Sequence, residues 1–387
     1  MKKLEQRVPN LRFKGFTDDW EQRKLGDLFV YNRPDKYMVQ DTNYIDSGTP
    51  VLTANKSFVL GYTNENHTYN KLPAIIFDDF TLENKFVKFP FMVKSSAIKI
   101  LNSRNDQPMM FMYQLLQHSR FVHEGHSRHY ISIVQRKDVM VPDNVEEQKK
   151  IATLFSRIQN IITLQQRKLA LLKQLKKGLL QKMFADKDSK QPVLRFKGFH
   201  DDWEQHKLGE IITYYNGKSH EEQFRNAETQ NFELVTLKSI DGNGNLCSSE
   251  KYIDSTNNTL SKNDLIMVLS EQNTGLVGMT TLIPRDNYYV LNQRVALLKL
   301  HKNNSPFFLT DAINQHQIFF ERMSAGTKVQ NISKSNVENF NLYIPNYSEQ
   351  KEVGHIIALC QNIITLQQKK LAKYQSIKKS LLQQMFI

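Results

Sequence analysis

Residues 159–166 read QNIITLQQ, and the same eight letters return without a break at residues 361–368. Around this stretch, residues 147–184 align without gaps on residues 349–386, with 21 of 38 positions identical, which chance does not produce. Apolar residues recur in both copies at alternating steps of four and three, the spacing of a long helix in a coiled coil. The sequence therefore predicts two long helices that share one pattern.

The positions at these steps form a seam, the stripe of side chains that faces a partner helix. One such helix suits a homodimeric coiled coil or the core of a bundle, whereas two matched copies in one chain favour pairing with each other. We expect pairing contacts at Ile158, Ile162, Gln165, Leu169 and Leu172 of the first copy and at Cys360, Ile364, Gln367, Leu371 and Tyr374 of the second. Gln165 and Gln367 stand at the midpoints of the copies, so either direction of pairing brings their amides together.

Each helix is preceded by a helix-entry signal: a proline, then an asparagine, then a glutamate three residues after the asparagine. The residues are Pro142, Asn144 and Glu147 in the first copy and Pro345, Asn346 and Glu349 in the second. This spacing resembles a capping box, in which the two side chains satisfy free N–H groups of the first helical turn.

A second repeat precedes each helix. Residues 11–26 (LRFKGFTDDWEQRKLG) recur as residues 194–209 (LRFKGFHDDWEQHKLG) with two differences. The order is therefore short block, variable region, long helix, and then the same three again, which indicates a duplication. We divide the chain into a first folded region (1–146), a first long helix (147–186), a second folded region (187–348) and a second long helix (349–387).

The variable regions, residues 27–146 and 210–348, do not match each other visibly. Both mix short β-type runs with helical patches, and each has the size of one ordinary domain, so we predict the α+β class for both. One short echo survives near their ends, a glycine followed six residues later by Ile-Ser. It comprises Gly125, Ile131 and Ser132 in the first region and Gly326, Ile332 and Ser333 in the second.

Composition indicates a folded protein with an anionic partner. The chain of 387 residues is 40% hydrophobic and carries a formal net charge of +13, which suggests a polyanion such as DNA, although a solvated coiled-coil flank explains part of the excess. Its two cysteines are too few for a disulfide framework and fit a reducing compartment. Because no apolar leader or run of membrane-spanning length is visible, we expect a cytoplasmic protein without a membrane segment.

Motifs for catalysis are missing from the sequence. It contains no GxxxxGK[ST] loop and no GxGxxG segment. The run that begins at Asp241 imitates a calcium loop without its final glutamate and is interpreted as a polar turn. His123, His126 and His129 would gather a metal only on a helix, and Asp78, Asp79, Glu83 and Lys85 faintly resemble a nuclease set. We expect no catalytic residue, no metal and no cofactor.

Material for binding is present instead. The two Gly-x5-Ile-Ser echoes, and a loop between two strand-like runs, are rich in side chains that reach phosphates or base edges. The alternative for each is an ordinary polar surface loop. The candidate DNA-binding residues are Ser127, Arg128, His129 and Tyr130 in the first region and Gln272, Asn273, Thr274, Lys328, Gln330 and Asn331 in the second.

Three features together resemble the DNA-specificity (S) subunit of Type I restriction-modification enzymes of bacteria, over the whole chain. They are the duplicated LRFxGFxDDWE blocks, the stretch from Asn331-Ile332-Ser333 to Pro345 that leads into Glu349-Gln350, and the ITLQQ helices that end in LLQxMF. In the first region His129-Tyr130-Ile131-Ser132 stands where Asn-Ile-Ser is typical.

The resemblance implies two target recognition domains separated by two long helices that form an antiparallel coiled coil with internal pseudo-two-fold symmetry. Each domain would read one half of a bipartite, asymmetric DNA site. The helices would set the spacer and dock two methyltransferase subunits, with restriction-translocation subunits added for cleavage. The S subunit itself would be non-catalytic within an adenine-specific methyltransferase and ATP-dependent endonuclease. Two other functions stay open: a coiled-coil adaptor and a metal-dependent nuclease.

Overall fold

The computed structural model describes residues 7–55, 57–121, 128–185, 189–271, 275–326 and 329–387. The chain forms two compact units. Unit 1 comprises Met1–Arg167 and Gln368–Ile387, and unit 2 comprises Lys168–Gln367. Each unit therefore contains one folded region, the start of one long helix and the end of the other.

Unit 1 is built from short strands and two long-helix segments. Its strands are β1 (Glu21–Lys24), β2 (Phe29–Asn32), β3 (Thr49–Leu52), β4 (Val59–Thr63), β5 (Ala74–Asp78), β6 (Asn84–Val87), β7 (Met92–Val93), β8 (Ile98–Ser103) and β9 (Asp138–Val141). Its helices are α1 (Leu25–Leu28), α2 (Met109–His118) and the first part of α3 (Val145–Met183), with single turns at Asp35–Tyr37 and Tyr130–Val134.

The centre of unit 1 is a four-stranded antiparallel sheet in the order β2-β8-β5-β6, beside a three-stranded sheet, β4-β3-β7, and a two-stranded one, β1-β9. Strand β5 is buried on both faces because alternate side chains enter different cores. Ile75 and Phe77 pack with α2 and the start of α3, whereas Ala74 and Ile76 pack into the core on the other face of the sheet. This explains why β5 is continuously apolar.

Unit 2 repeats this plan with added elements. Its strands are β10 (Glu204–Lys207), β11 (Ile212–Asn216), β12 (Phe232–Val235), β13 (Tyr252–Ile253), β14 (Leu265–Val268), β15 (Ser270–Glu271), β16 (Thr280–Leu282), β17 (Tyr289–Leu291), β18 (Val295–Leu300), β19 (Gln330–Asn331) and β20 (Asn341–Ile344). Its helices are α4 (Leu208–Ile211), α5 (Glu221–Arg225), α6 (Pro306–Asn314), α7 (Gln317–Met323), α8 (Lys334–Glu338) and the first part of α9 (Tyr347–Met385).

The two units share one topology although their middles do not match in sequence. In unit 2 the four-stranded sheet has the order β11-β18-β14-β16, the three-stranded sheet is β13-β12-β17, and β10 pairs with β20. In both three-stranded sheets one pairing is parallel, β3 with β7 and β12 with β17. Strand β14 divides its side chains between two cores as β5 does. The predicted α+β class and internal repeat are confirmed.

The long helices run antiparallel within each unit. In unit 1 the ring of Phe155 on α3 lies 6.0 Å from that of Phe386, and farther along α3 Gln159 Oε1 accepts a hydrogen bond of 2.9 Å from Lys378 Nζ. Positions that rise on α3 therefore meet positions that fall on α9. In unit 2 Lys176 Nζ donates to Gln361 Oε1 at 3.0 Å, the contact that corresponds by the repeat.

Burial along the helices follows the predicted seam. Ile158, Ile162, Cys360, Ile364 and Gln367 are buried, and Gln165, Leu169, Leu172, Leu371 and Tyr374 are half-buried. The pairing of Gln165 with Gln367 stays a prediction. Among the described residues, each helix is too short or too polar to span a lipid bilayer.

Only half of each predicted capping box forms. The side-chain oxygens of Asn144 and Asn346 accept hydrogen bonds from the backbone N–H groups of Glu146 and Glu349, at 2.9 and 3.0 Å. The carboxylates of Glu147 and Glu349 do not turn back to the cap, because each is taken by an arginine of the repeated block.

These arginines form two matched clamps. Arg12 Nε and Nη2 donate to the two carboxylate oxygens of Glu147 at 2.7 and 2.8 Å, and Arg195 holds Glu349 at the same distances. Both carboxylates are fully buried. The neighbouring leucine of each block binds the end of the other long helix, from Leu11 N to Gln384 O and from Leu194 N to Lys182 O. Each block therefore fastens the start of one helix to the end of the other.

Candidate nucleic-acid interface

In both units the connection that follows an inner strand of the four-stranded sheet, β5 or β14, contacts the Gly-x5-Ile-Ser segment. We call this meeting place the interface edge. In unit 1 Asp79, directly after β5, accepts hydrogen bonds from the backbone N–H groups of His129 (3.0 Å, to its carbonyl) and Tyr130 (2.7 Å, to Oδ1). In unit 2 β15, shortly after β14, pairs with β19. The fold thus brings together segments that are about fifty residues or more apart in sequence, at one equivalent place in each unit.

Half of the ten predicted DNA-binding residues can be located. Ser127, Gln272, Asn273, Thr274 and Lys328 lie outside the described residues. Arg128 and Asn331 are exposed and Gln330 is half-buried at the meeting place of the two segments. His129 and Tyr130 lie there too, with their side chains buried.

The side chains of His129 and Tyr130 belong to the core of unit 1. They are 0% and 1% exposed, and the Tyr130 ring packs 5.5 Å from Tyr31 and 5.6 Å from Phe77. Burial raises the pKa of the Tyr130 hydroxyl. Both side chains are buried because the hydrogen bonds to Asp79 fold the turn Tyr130–Val134 inward. We therefore assign both residues a structural role in place of the predicted DNA contact.

A buried ion pair fixes this turn in unit 1. Lys99 Nζ lies 3.2 Å from Asp79 Oδ2, with the side chains 5% and 3% exposed, and 5.3 Å above the Tyr31 ring. Asp79 is thus saturated by Lys99 and the backbone of the Tyr130–Val134 turn. Such a pair adds little net stability, but removing one partner is strongly destabilising because the other charge stays buried and unpaired. The pair therefore favours one position of the turn.

The sequence patterns that imitated metal sites have structural explanations. Asp78 caps its own turn, with Oδ1 accepting from Phe80 N and Thr81 N, both at 2.9 Å, and Asp79 pairs with Lys99. Asp241 Oδ1 likewise accepts from Asn243 N and Asn245 N at 2.8 Å, which makes the predicted polar turn. His123 and His126 lie outside the described residues, and within those residues no cluster of three or more His, Cys, Asp or Glu has the form of a metal site.

In unit 2 hydrogen bonds hold both segments that meet at this place, the connection after β14 and the Gly-x5-Ile-Ser segment. The buried Glu271, the first residue of the predicted loop 271–275, accepts hydrogen bonds from the backbone N–H groups of Leu276 and Val277, which follow the candidate residues 272–274 in the chain. Ser270 Oγ donates to Asn331 Oδ1 across the β15–β19 pair. Gly326, the glycine of the echo, has φ +141°, and an added Cβ would lie 1.9 Å from the carbonyl oxygen of Val329. A side chain does not fit there, which explains the glycine.

The shared topology adds a segment that sequence reasoning missed. The loop 272–274 lies in the connection from β14 to β16, and the equivalent connection in unit 1 runs from β5 to β6 through residues 79–83. No sequence signal marks residues 79–83 as a reading loop, because their equivalence appears only in the strand order.

Two α+β units of one topology, each fastened to a pair of antiparallel helices and each carrying a polar edge at the same place, define a duplicated two-domain binding subunit. The family model for the Type I restriction modification DNA specificity domain matches residues 17–174 and 200–375. The chain belongs to this family, and it is a Type I restriction-modification DNA specificity subunit with two recognition domains.

Similar proteins support this membership. The chain is 29% identical over 351 residues to the Type I restriction enzyme EcoR124I/EcoR124II specificity subunit of Escherichia coli, covering 86% of this chain and 84% of the relative. It is 22% identical to the MjaVIII specificity subunit of Methanocaldococcus jannaschii, covering 94% and 91%. The crystal structure of a Type I S subunit from M. genitalium shares the fold, with a TM-score of 0.74 at 16% identity over 98% of this chain and 99% of that one.

Proposed function

We propose that each recognition domain, residues 1–146 and 187–348, reads one half of a bipartite, asymmetric DNA site through its interface edge. The observation that carries this proposal is that one topology brings the Gly-x5-Ile-Ser segment to the same place in each unit, with unlike exposed side chains in the two copies. Arg128 is exposed there in unit 1, and Asn331 in unit 2. Arginine pairs with guanine and asparagine with adenine. Two domains of one topology that present different side chains to the DNA therefore suit two different half-sites. The net charge of +13 supplies attraction to phosphates.

The proposal extends to the assembly. The chain would contribute recognition without catalysis, to an adenine-specific methyltransferase with two methyltransferase subunits and, once restriction-translocation subunits join, to an ATP-dependent endonuclease in the cytoplasm. The helices 147–186 and 349–387 would set the spacer between half-sites, because their length is fixed at about 1.5 Å per residue.

Single substitutions should separate the two half-sites. In the complex with methyltransferase subunits, Arg128→Ala is expected to relax base preference in one half-site and Asn331→Ala in the other, because each removes one base reader. Loss of a good bidentate contact costs about 1–3 kcal/mol of discrimination, roughly five- to 150-fold. Mapping of methylated sites with each variant measures the effect. Relaxation of both halves by one variant, or of neither half by both, would exclude these positions as separate base readers.

We propose that the methyltransferase subunits dock on the exposed leucine of the repeated octapeptide. Leu164 and Leu366 occupy matched positions off the seam and are 62% and 66% exposed. Near Leu366 on α9, Leu359 and Ile363 are also exposed, at the spacing of one helical face. Packing within the chain does not require leucine at these two positions, so they suit an apolar partner surface, and two equivalent positions suit two copies of one partner.

We expect Leu164→Glu and Leu366→Glu each to reduce the complex from two methyltransferase subunits to one, and the double variant to bind none, because a carboxylate would be buried at the interface. Size-exclusion chromatography with light scattering counts the subunits. Thr163→Glu is the matched control: it adds the same charge at an exposed neighbour about 100° round the helix. A double variant that still binds two subunits would place docking elsewhere.

A further inference from the structure

The connection from β5 to β6 is a tight turn with an aromatic residue at its tip. Besides the two hydrogen bonds that Asp78 Oδ1 accepts from Phe80 N and Thr81 N, Asp78 N donates to Glu83 O at 2.8 Å and Leu82 N to Asp78 O at 3.0 Å. Leu82 adopts φ +62°, which turns its side chain back onto the core of unit 1. Phe80 remains 38% exposed. These bonds thus fix the backbone of the turn that carries Phe80.

Phe80 lies beside the exposed arginine of the interface. The Arg128 guanidinium carbon is 6.0 Å from the centre of the Phe80 ring, and its Nη2 lies 3.5 Å from Ser96 Oγ. Asp79 links the two residues. It directly precedes Phe80 in the chain, and it accepts hydrogen bonds from the backbone N–H groups of the two residues that follow Arg128. An aromatic ring and a guanidinium are therefore held together by the bonds that form the interface edge.

The turn itself gives no reason for an aromatic residue at this position. Its hydrogen bonds use the backbone N–H of Phe80 and the side chain of Asp78, so a polar residue would complete it equally well. A lone exposed apolar residue is ordinary on a protein surface. Phe80 differs because it stands on a rigid turn, next to a cation, at the place equivalent to the loop 272–274 of unit 2.

We propose that Phe80 is a specificity-determining residue of the first recognition domain, making apolar contact with the 5-methyl group of a thymine in the major groove beside the base that Arg128 contacts. Thymine is the base that presents a methyl group there, and phenylalanine is among the side chains that recognise it. This inference rests on the proposed function of the interface edge and adds to it the base class that the turn selects.

The test uses the full complex with methyltransferase subunits, after methylation mapping has given the DNA site. The first half-site is the half that Arg128→Ala relaxes. Duplexes in which each thymine of that half is replaced in turn by uracil remove one methyl group at a time. For the wild type, one replacement is expected to weaken binding about fourfold, the value of one buried methyl group. Phe80→Ala should bind the thymine and uracil duplexes equally, and Phe80→Leu should keep part of the difference.

Phe89→Ala is the matched control, because Phe89 is a phenylalanine of unit 1 with similar exposure, 39%, that lies outside residues 79–83 and outside the segment of Arg128. It should keep the wild-type ratio. Fluorescence of Trp20, read from the full chain alone in a Trp203→Phe background, checks that the core of unit 1 is unchanged. The inference is overturned if Phe80→Ala keeps the wild-type thymine-to-uracil ratio, if it weakens every duplex equally, or if the first half-site has no A·T pair. If Arg128→Ala relaxes neither half, the proposed function of this edge fails first, and the two failures are thereby distinguished.

Discussion

Arg12→Ala is expected to destabilise unit 1 by about 3–5 kcal/mol, because it leaves the fully buried carboxylate of Glu147 without its arginine. Arg195→Ala should do the same to unit 2 through Glu349. The matched control is Arg23→Ala. Arg23 also pairs with a glutamate, Glu21, but both side chains are about half exposed at 50% and 49%, so its loss should cost no more than about 1 kcal/mol.

The two tryptophans allow each unit to be followed separately. Trp20 lies in the core of unit 1 and Trp203 in the core of unit 2, and they are the only tryptophans in the sequence. In a Trp203→Phe background, urea unfolding followed by fluorescence reports Trp20. Arg12→Ala should lower that midpoint strongly and Arg23→Ala hardly. The double variant Arg12→Met with Glu147→Leu should recover much of the loss, since no buried charge remains. An Arg12→Ala midpoint equal to that of Arg23→Ala would contradict the clamp.

The repeats made the architecture readable from the sequence. A heptad pattern is local, so the seam residues of both helices, such as Ile162 and Ile364, are found by counting along the chain. The strand order is not local. β5 and β14 are recognisable as buried strands from their apolar runs, and each pairs on one side with a strand that follows shortly in the chain, β6 or β16. The neighbour on the other side, β8 or β18, lies beyond the intervening strands, in regions without visible similarity. The shared topology therefore appears only in three dimensions.

The interface was predictable to the level of segments, not of side chains. Polar composition identified the segment that contains Arg128, but which of its side chains faces outward is decided by Asp79, about fifty residues earlier. His129 and Tyr130 turn inward for that reason. Phe80 was missed for the opposite reason: an aromatic residue after an apolar strand suggests core, and only the hydrogen-bonded turn explains its exposure.

The capping prediction shows a similar limit. The Asn-x-x-Glu spacing is a local signal and correctly identified Asn144 and Asn346 as caps. The glutamates were assigned to the same local motif, whereas their carboxylates bind arginines more than a hundred residues earlier in the chain. One sequence feature did indicate these ion pairs: the block and the long helix are duplicated together, as expected for two segments that bind each other.

Exchange of one reading region tests most directly whether the two domains read independently. Residues 27–146 are replaced by the corresponding region of another Type I specificity subunit, which keeps Arg12, Glu147 and residues 147–186 and 349–387 of the long helices. The chimera is expressed with the methyltransferase subunits, and its methylated sites are mapped across a genome. One half-site should become that of the donor, while the other half-site and the spacer stay as they were. A chimera that changed both half-sites, or neither, would contradict two independent reading domains.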